Sequence, residues 1–86
     1  MHKRILYFGK PARLSIRLNQ LVIHQEDGKE QTVPVEDTGL VFLDHQQITV
    51  THAVLLAFTE HNVALISCND IHLPAACLLP LCGHSL

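Results

Sequence analysis

At 86 residues the chain supplies one small domain, because a chain of this size buries only about 60% of its unfolded surface. It is 48% hydrophobic and 16% charged, against a usual charged share of about 25%, so it carries more apolar side chain than one small core hides. Net charge is −2, no run approaches the eighteen apolar residues of a membrane span, and Ile5 to Phe8 is too short an apolar run for a signal peptide. These features exclude a spanning helix and point to a cytoplasmic protein without a membrane partner.

In chain order, "RILYFG" reads as a first strand ended by Gly9. "KP" marks a turn, since Pro11 fixes its own φ and pushes Lys10 towards extended geometry. "ARLSIRL" alternates with the period of a half-buried strand: Leu14, Ile16 and Leu18 on one face, Arg13, Ser15 and Arg17 on the other. "NQ" is a hairpin signal, "LVIHQ" a third strand, and "EDGKE" a stronger turn built on Asp27–Gly28. "TVPVE" is a fourth strand, placed at an edge or bulge because Pro34 cannot donate a ladder hydrogen bond. "GLVFLD" is apolar on both faces, as a central strand is.

After Thr49 the period changes. Val50, Val54, Ala57, Phe58 and His61 recur at helical spacing, with Thr49 or Thr51 able to cap the start and Asn62 the end. A helix of about twelve residues, over about 50–62, follows. "VALISC" is a short apolar strand, "NDIHLP" turns, and "AACLLPL" is a last extended segment. The fold class is α+β and mostly β: a small β-sandwich-like domain of about seven short strands and one helix, a single domain over 1–86.

The end of the chain raises a question of metal binding. Cys68, His72, Cys77, Cys82 and His84 fall within nineteen residues. Structural zinc sites pair their ligands as C-x2–4-C or H-x3–5-H, and no such cysteine pair exists here. Three cysteines in one third of the chain fit reduced thiols better than a disulfide framework. The residues assign no metal site and no catalytic group. Cys68 near His72 is the one candidate nucleophile pair. The alternative reading is a small cytosolic Cys/His metal-binding or regulatory module.

Charge is distributed unevenly. Residues 1 to 17 hold Lys3, Arg4, Lys10, Arg13 and Arg17 and no acid, whereas residues 30 to 86 hold no Lys or Arg. Lys10 at a turn, with Arg13 and Arg17 on one polar face, are the candidate DNA-contact residues, since phosphate contact needs accessible positive charge. The net negative charge argues against a stand-alone nucleic-acid binder. No glycine arrangement makes a phosphate-cradling loop.

The order "ARLSIRLNQLVIHQ", then "VPVEDTGLVFLDHQQITVTHAVLLAFTEHNVALISCNDIHLPAACLLP", resembles the start of the CRISPR-associated integrase of spacer acquisition, in the versions that accompany type II systems. The resemblance runs from about residue 4 to residue 86. It implies an N-terminal β domain that forms a homodimer and positions DNA ends, with the helical catalytic domain absent. It implies no cofactor in this chain and Mg2+ or Mn2+ in the parent, a metal-dependent DNA endonuclease and integrase. It further implies a small second adaptation subunit and double-stranded DNA as partners. In relatives the first turn can stack on a terminal base pair; here "GKPARLS" departs from that pattern at Pro11.

Overall fold

The computed structural model describes residues 3–79. In chain order the elements are β1 (Arg4–Phe8), β2 (Ala12–Arg17), β3 (Gln20–Gln25), β4 (Glu30–Pro34), β5 (Thr38–Leu43), β6 (Ile48–Val50), α1 (His52–Glu60), β7 (Ala64–Cys68) and β8 (Pro74–Leu78). They build an α+β, mostly β domain of two four-stranded sheets, ordered β1-β5-β7-β8 and β4-β3-β2-β6.

The first sheet is mixed. β1 and β7 both run parallel to β5, and β8 returns antiparallel to β7. In the second sheet β2, β3 and β4 form an antiparallel meander, and β6 adds to β2 in parallel. Pro34 falls at the end of β4, an edge strand, where its missing N–H costs no ladder bond. β5 lies between β1 and β7, as its two-sided apolar pattern requires.

Both sheets feed one core. Leu14, Leu21 and Ile23 enter from the second sheet, Val41 and Leu65 from the first, and Val54 and Phe58 from α1. The helix packs against β2 and β7, one strand of each sheet. Thr38 is buried with its hydroxyl donating to the Pro34 carbonyl, across a 3-10 turn at Val35–Asp37.

Four details differ from the sequence expectation. The strands number eight, because Ile48–Val50 pairs with Ala12–Leu14 and not with any sequence neighbour. The helix is therefore nine residues long: Thr49 and Val50 belong to β6, and Thr51 takes the N-cap position without a side-chain hydrogen bond. Val35 to Asp37 form the 3-10 turn where a strand is expected to continue, and β4 begins at Glu30. The hairpin between β2 and β3 turns at Leu18–Asn19, with Gln20 already paired in β3. The helix does close at Asn62. Its φ of 58° is left-handed, and Val63 and Asn62 donate back to the Phe58 and Thr59 carbonyls.

The Leu18–Asn19 turn holds both central residues at positive φ, 53° and 61°. That geometry suits the right-handed twist of the strands but favours Gly, Asn or Asp. Leucine there is strained by roughly 1–2 kcal/mol, and Leu18 is 90% exposed, so packing does not offset the strain. Leu18→Gly is therefore expected to raise stability by about 0.5–1 kcal/mol, part of the relief being offset by glycine's freedom in the unfolded chain. Urea unfolding checks this: a higher midpoint at unchanged slope is the expected result.

Candidate functional site

The candidate DNA-contact residues lie along one strand and the turn before it. Lys10 stands in the β1–β2 turn and lines an open groove of about 700 Å³ together with Tyr7, Pro11, Glu26 and Asp27. Arg13 and Arg17 share the outer, solvent face of β2, as their alternation requires, and both are exposed. The three are spread along this length; seven residues of extended chain span roughly 23 Å. They track a surface and do not converge on one point.

Arg17 is already engaged. Its guanidinium donates to the Glu30 carboxylate at 2.7 Å, and the Nδ1 of His24 lies 3.5 Å from the other Glu30 oxygen. The Arg17 hydrogen bond holds the Glu30 carboxyl below the usual carboxylate range. The register explains how residues thirteen apart meet. Arg17 pairs with Gln20 on β3, and Glu30 pairs with His24. A line between them crosses β3 midway, over Val22. That residue is 1% exposed although it lies outside the core cluster. Sequence reading missed Glu30, because the β2–β3–β4 register brings it to Arg17.

A second polar cluster forms at the other end of the first sheet. Asp44 directly follows β5 and is 4% exposed. Its backbone N–H donates to the Phe8 carbonyl, which extends the β1–β5 ladder by one step. The Tyr7 hydroxyl donates to one carboxylate oxygen. The Nδ1 of His72 lies 2.9 Å from the other, and since an ionised carboxylate only accepts, this nitrogen carries the proton. His72 reaches it from the β7–β8 turn, with its own φ at 64°. Asn69 shapes that turn by accepting from the Ile71 and Leu73 N–H groups through its side chain. Asp44 thus ties β1, β5 and the β7–β8 turn together.

The electrostatics follow from this geometry. The Tyr7 hydroxyl first, and His72 second, hold the Asp44 carboxyl below its ordinary value. The same bond pushes the Tyr7 phenol up. Cys68 is raised by burial first and by the Asp44 charge second. The one candidate nucleophile pair, Cys68 and His72, is not assembled: His72 turns to Asp44, and Cys68 stays a protonated thiol where a nucleophile needs a thiolate.

Among the described residues Cys68 and Cys77 are free thiols, and no group of three or more His, Cys, Asp or Glu is placed to hold a metal ion. Cys82 and His84 lie outside the described residues. The described residues do not fit the divalent ion that the resemblance attaches to the parent. Among the described residues no helix is long and apolar enough to cross a membrane.

Because the fold favours ionised Asp44, its contribution to stability is complete above the ordinary carboxylate pKa and is lost as pH falls through the lowered folded value. Asp44→Ala is expected to be less stable than wild type at pH 7, with the gap closing below about pH 4. Urea midpoints of both proteins across pH check this. A gap that stays constant into acid would mean that Asp44 acts only by packing.

No family model matches the chain. It is 32% identical over 77 residues to the CRISPR-associated endonuclease Cas1 of Neisseria meningitidis serogroup C (strain 8013), across 90% of this chain and 25% of that protein. Its fold is that of Cas1 in a Cas1–DNA complex, with a TM-score of 0.77 at 18% identity over 95% of this chain and 28% of the other. It also matches a Cas6-RT-Cas1–Cas2 complex, with a TM-score of 0.81 at 14% identity over 93% of this chain and 9% of the other. With its sequence and its two-sheet fold both matched, the chain belongs to the Cas1 family and spans about a quarter of the length of the Cas1 relative it matches.

Proposed function

We propose that this chain acts as the dimerisation and DNA-end-positioning β domain of a spacer-acquisition integrase, and leaves the bond chemistry to residues outside it. The observation that carries this reading is the match to Cas1 across 90% of the chain, in sequence and strand order together. The parent would be the metal-dependent endonuclease and integrase of spacer insertion, working in the cytoplasm with Mg2+ or Mn2+. The relatives solved as a Cas1–DNA complex and as a Cas6-RT-Cas1–Cas2 complex support DNA and Cas2 as partners.

The residues suggest a division of labour. The outer face of the second sheet is polar and carries Arg13 and Arg17, with Lys10 at its end. Phosphate contact there needs charge and accessibility, which Lys10 and Arg13 have. Arg17 contributes less while Glu30 holds it. Glu30 therefore tempers the affinity of this face. DNA must displace a carboxylate to gain the third cation.

Fluorescence anisotropy with a short duplex over a salt series tests the reading. Lys10→Ala and Arg13→Ala should each weaken binding and lower the salt slope by roughly 0.9. Glu30→Gln should strengthen binding by freeing Arg17. Binding that is absent, or insensitive to salt, would contradict a phosphate-contact role.

A further inference from the structure

On the outer face of the second sheet the register sets Thr49 of β6, Arg13 of β2, His24 of β3 and Glu30 of β4 in one row. His24 therefore stands between a cation and an anion supplied by its two neighbouring strands. Its side chain is 33% exposed, open to water and to a ligand.

The charged groups around His24 come from each strand beside it. Arg13 faces it from β2. Glu30 faces it from β4, with one carboxylate oxygen 3.5 Å from the His24 Nδ1. Arg17, also on β2, donates to the other Glu30 oxygen at 2.7 Å. β6 brings no charged residue. Past the strand ends, the β3–β4 turn holds exposed Glu26, and Asp27 and Lys29, whose charged groups lie 3.9 Å apart. At 3.5 Å the His24–Glu30 contact is longer than an ordinary hydrogen bond. An imidazolium has only to turn slightly to reach the charge-assisted range of about 2.7–2.9 Å.

The charge on this face depends on the state of that ring. While His24 is neutral, Glu30 cancels Arg17. Once His24 takes a proton, Glu30 faces two cations and can cancel one of them. The other is surplus, whichever of the two Glu30 holds. Imidazoles charge near pH ~6.5. The Arg17 bond keeps the Glu30 carboxyl below its usual range, so Glu30 is still ionised there. The new charge arises directly opposite Arg13, and like charges directly opposite across two strands repel. A phosphate seated between them removes that repulsion. Proton uptake and phosphate binding then favour each other, because linkage is reciprocal.

We propose that His24 is a conditional phosphate contact: when protonated it joins Lys10 and Arg13 on the DNA face and shares Glu30 with Arg17, so that duplex binding is coupled to proton uptake. The proposal rests on the DNA-contact reading above and names the residue that regulates it.

Fluorescence anisotropy of a short duplex over a salt series, at about pH 8 and about pH 5.5, tests the coupling on either side of the imidazole range. The wild type is expected to bind more tightly at the lower pH, with a salt slope steeper by roughly 0.9, one more phosphate neutralised. His24→Gln, which cannot charge, should match the wild type at the higher pH and lose the acid gain. His24→Lys, charged at both, should bind at the higher pH as tightly as the wild type does at the lower. Circular dichroism at both pH values reports folding, and either variant carries the test if the other fails to fold. The other histidines are unchanged in each variant, so an acid effect that belongs to them survives His24→Gln. Absence of salt-dependent binding at both pH values overturns the DNA-contact reading and this proposal together. Salt-dependent binding that is equal at the two pH values, or an acid gain that His24→Gln retains, overturns the proposal and leaves the DNA-contact reading standing.

Discussion

The structure depends on the parallel triplet β1-β5-β7. Its middle strand, Thr38–Leu43, is apolar on both faces, so wherever it sits it needs cover twice. Cover on one side comes from the crossover α1, whose Phe58 and Val54 are fully buried, and from the inner face of the second sheet through Leu14, Leu21 and Ile23. Among the described residues the other side exposes Ile5 and Tyr7. The excess of apolar residues in the composition and the bare face of the first sheet are one fact seen twice.

The two outer faces consequently differ in kind. The second sheet is an antiparallel meander with one wet face, and it carries Arg13, His24, Arg17 and Glu30 there. Its buried apolar residue outside the core cluster, Val22, lies on β3 between Gln20 and His24, the register partners of Arg17 and Glu30. The first sheet shows Ile5, Tyr7 and Cys77 to solvent. One face suits a charged, hydrated ligand and the other an apolar one. Asp44 lies at the border between the apolar face and water. It accepts hydrogen bonds from a phenol of β1 and an imidazole of the β7–β8 turn. This carboxylate links the positions of three segments that hydrogen bonds within the sheet alone would leave less constrained.

Much of the fold is legible in the residues, because much of it is local. Alternation marks β2, Asp27–Gly28 marks the β3–β4 turn, Pro34 marks an edge, and Asn62 marks the helix end. What escapes is set by partners distant in sequence. Ile48–Val50 is three residues long and runs into a helical period, and only its pairing with β2 makes it a strand. Likewise Arg17 gives no local sign of Glu30, nor Asp44 of Tyr7 and His72, which lie 37 and 28 residues away. The basic surface could be listed from the sequence. That one of its arginines is already paired could not, since register decides it. The spacing of the Cys/His tail argues against a zinc site, but it gives no sign that His72 serves the buried Asp44 carboxylate.

The dimerisation proposed for this β domain would bury the outer face of the first sheet, where Ile5 and Tyr7 are exposed among the described residues. The reactivity of the Cys77 thiol reports on this directly, because that residue lies in β8 in register with Ile66 on that face. With Cys68 and Cys82 replaced by serine, the rate of Cys77 labelling by a thiol reagent would be followed as protein concentration is varied. The account predicts slow labelling when concentrated and fast labelling on dilution, as the face opens. A fast rate that does not change with concentration would contradict it.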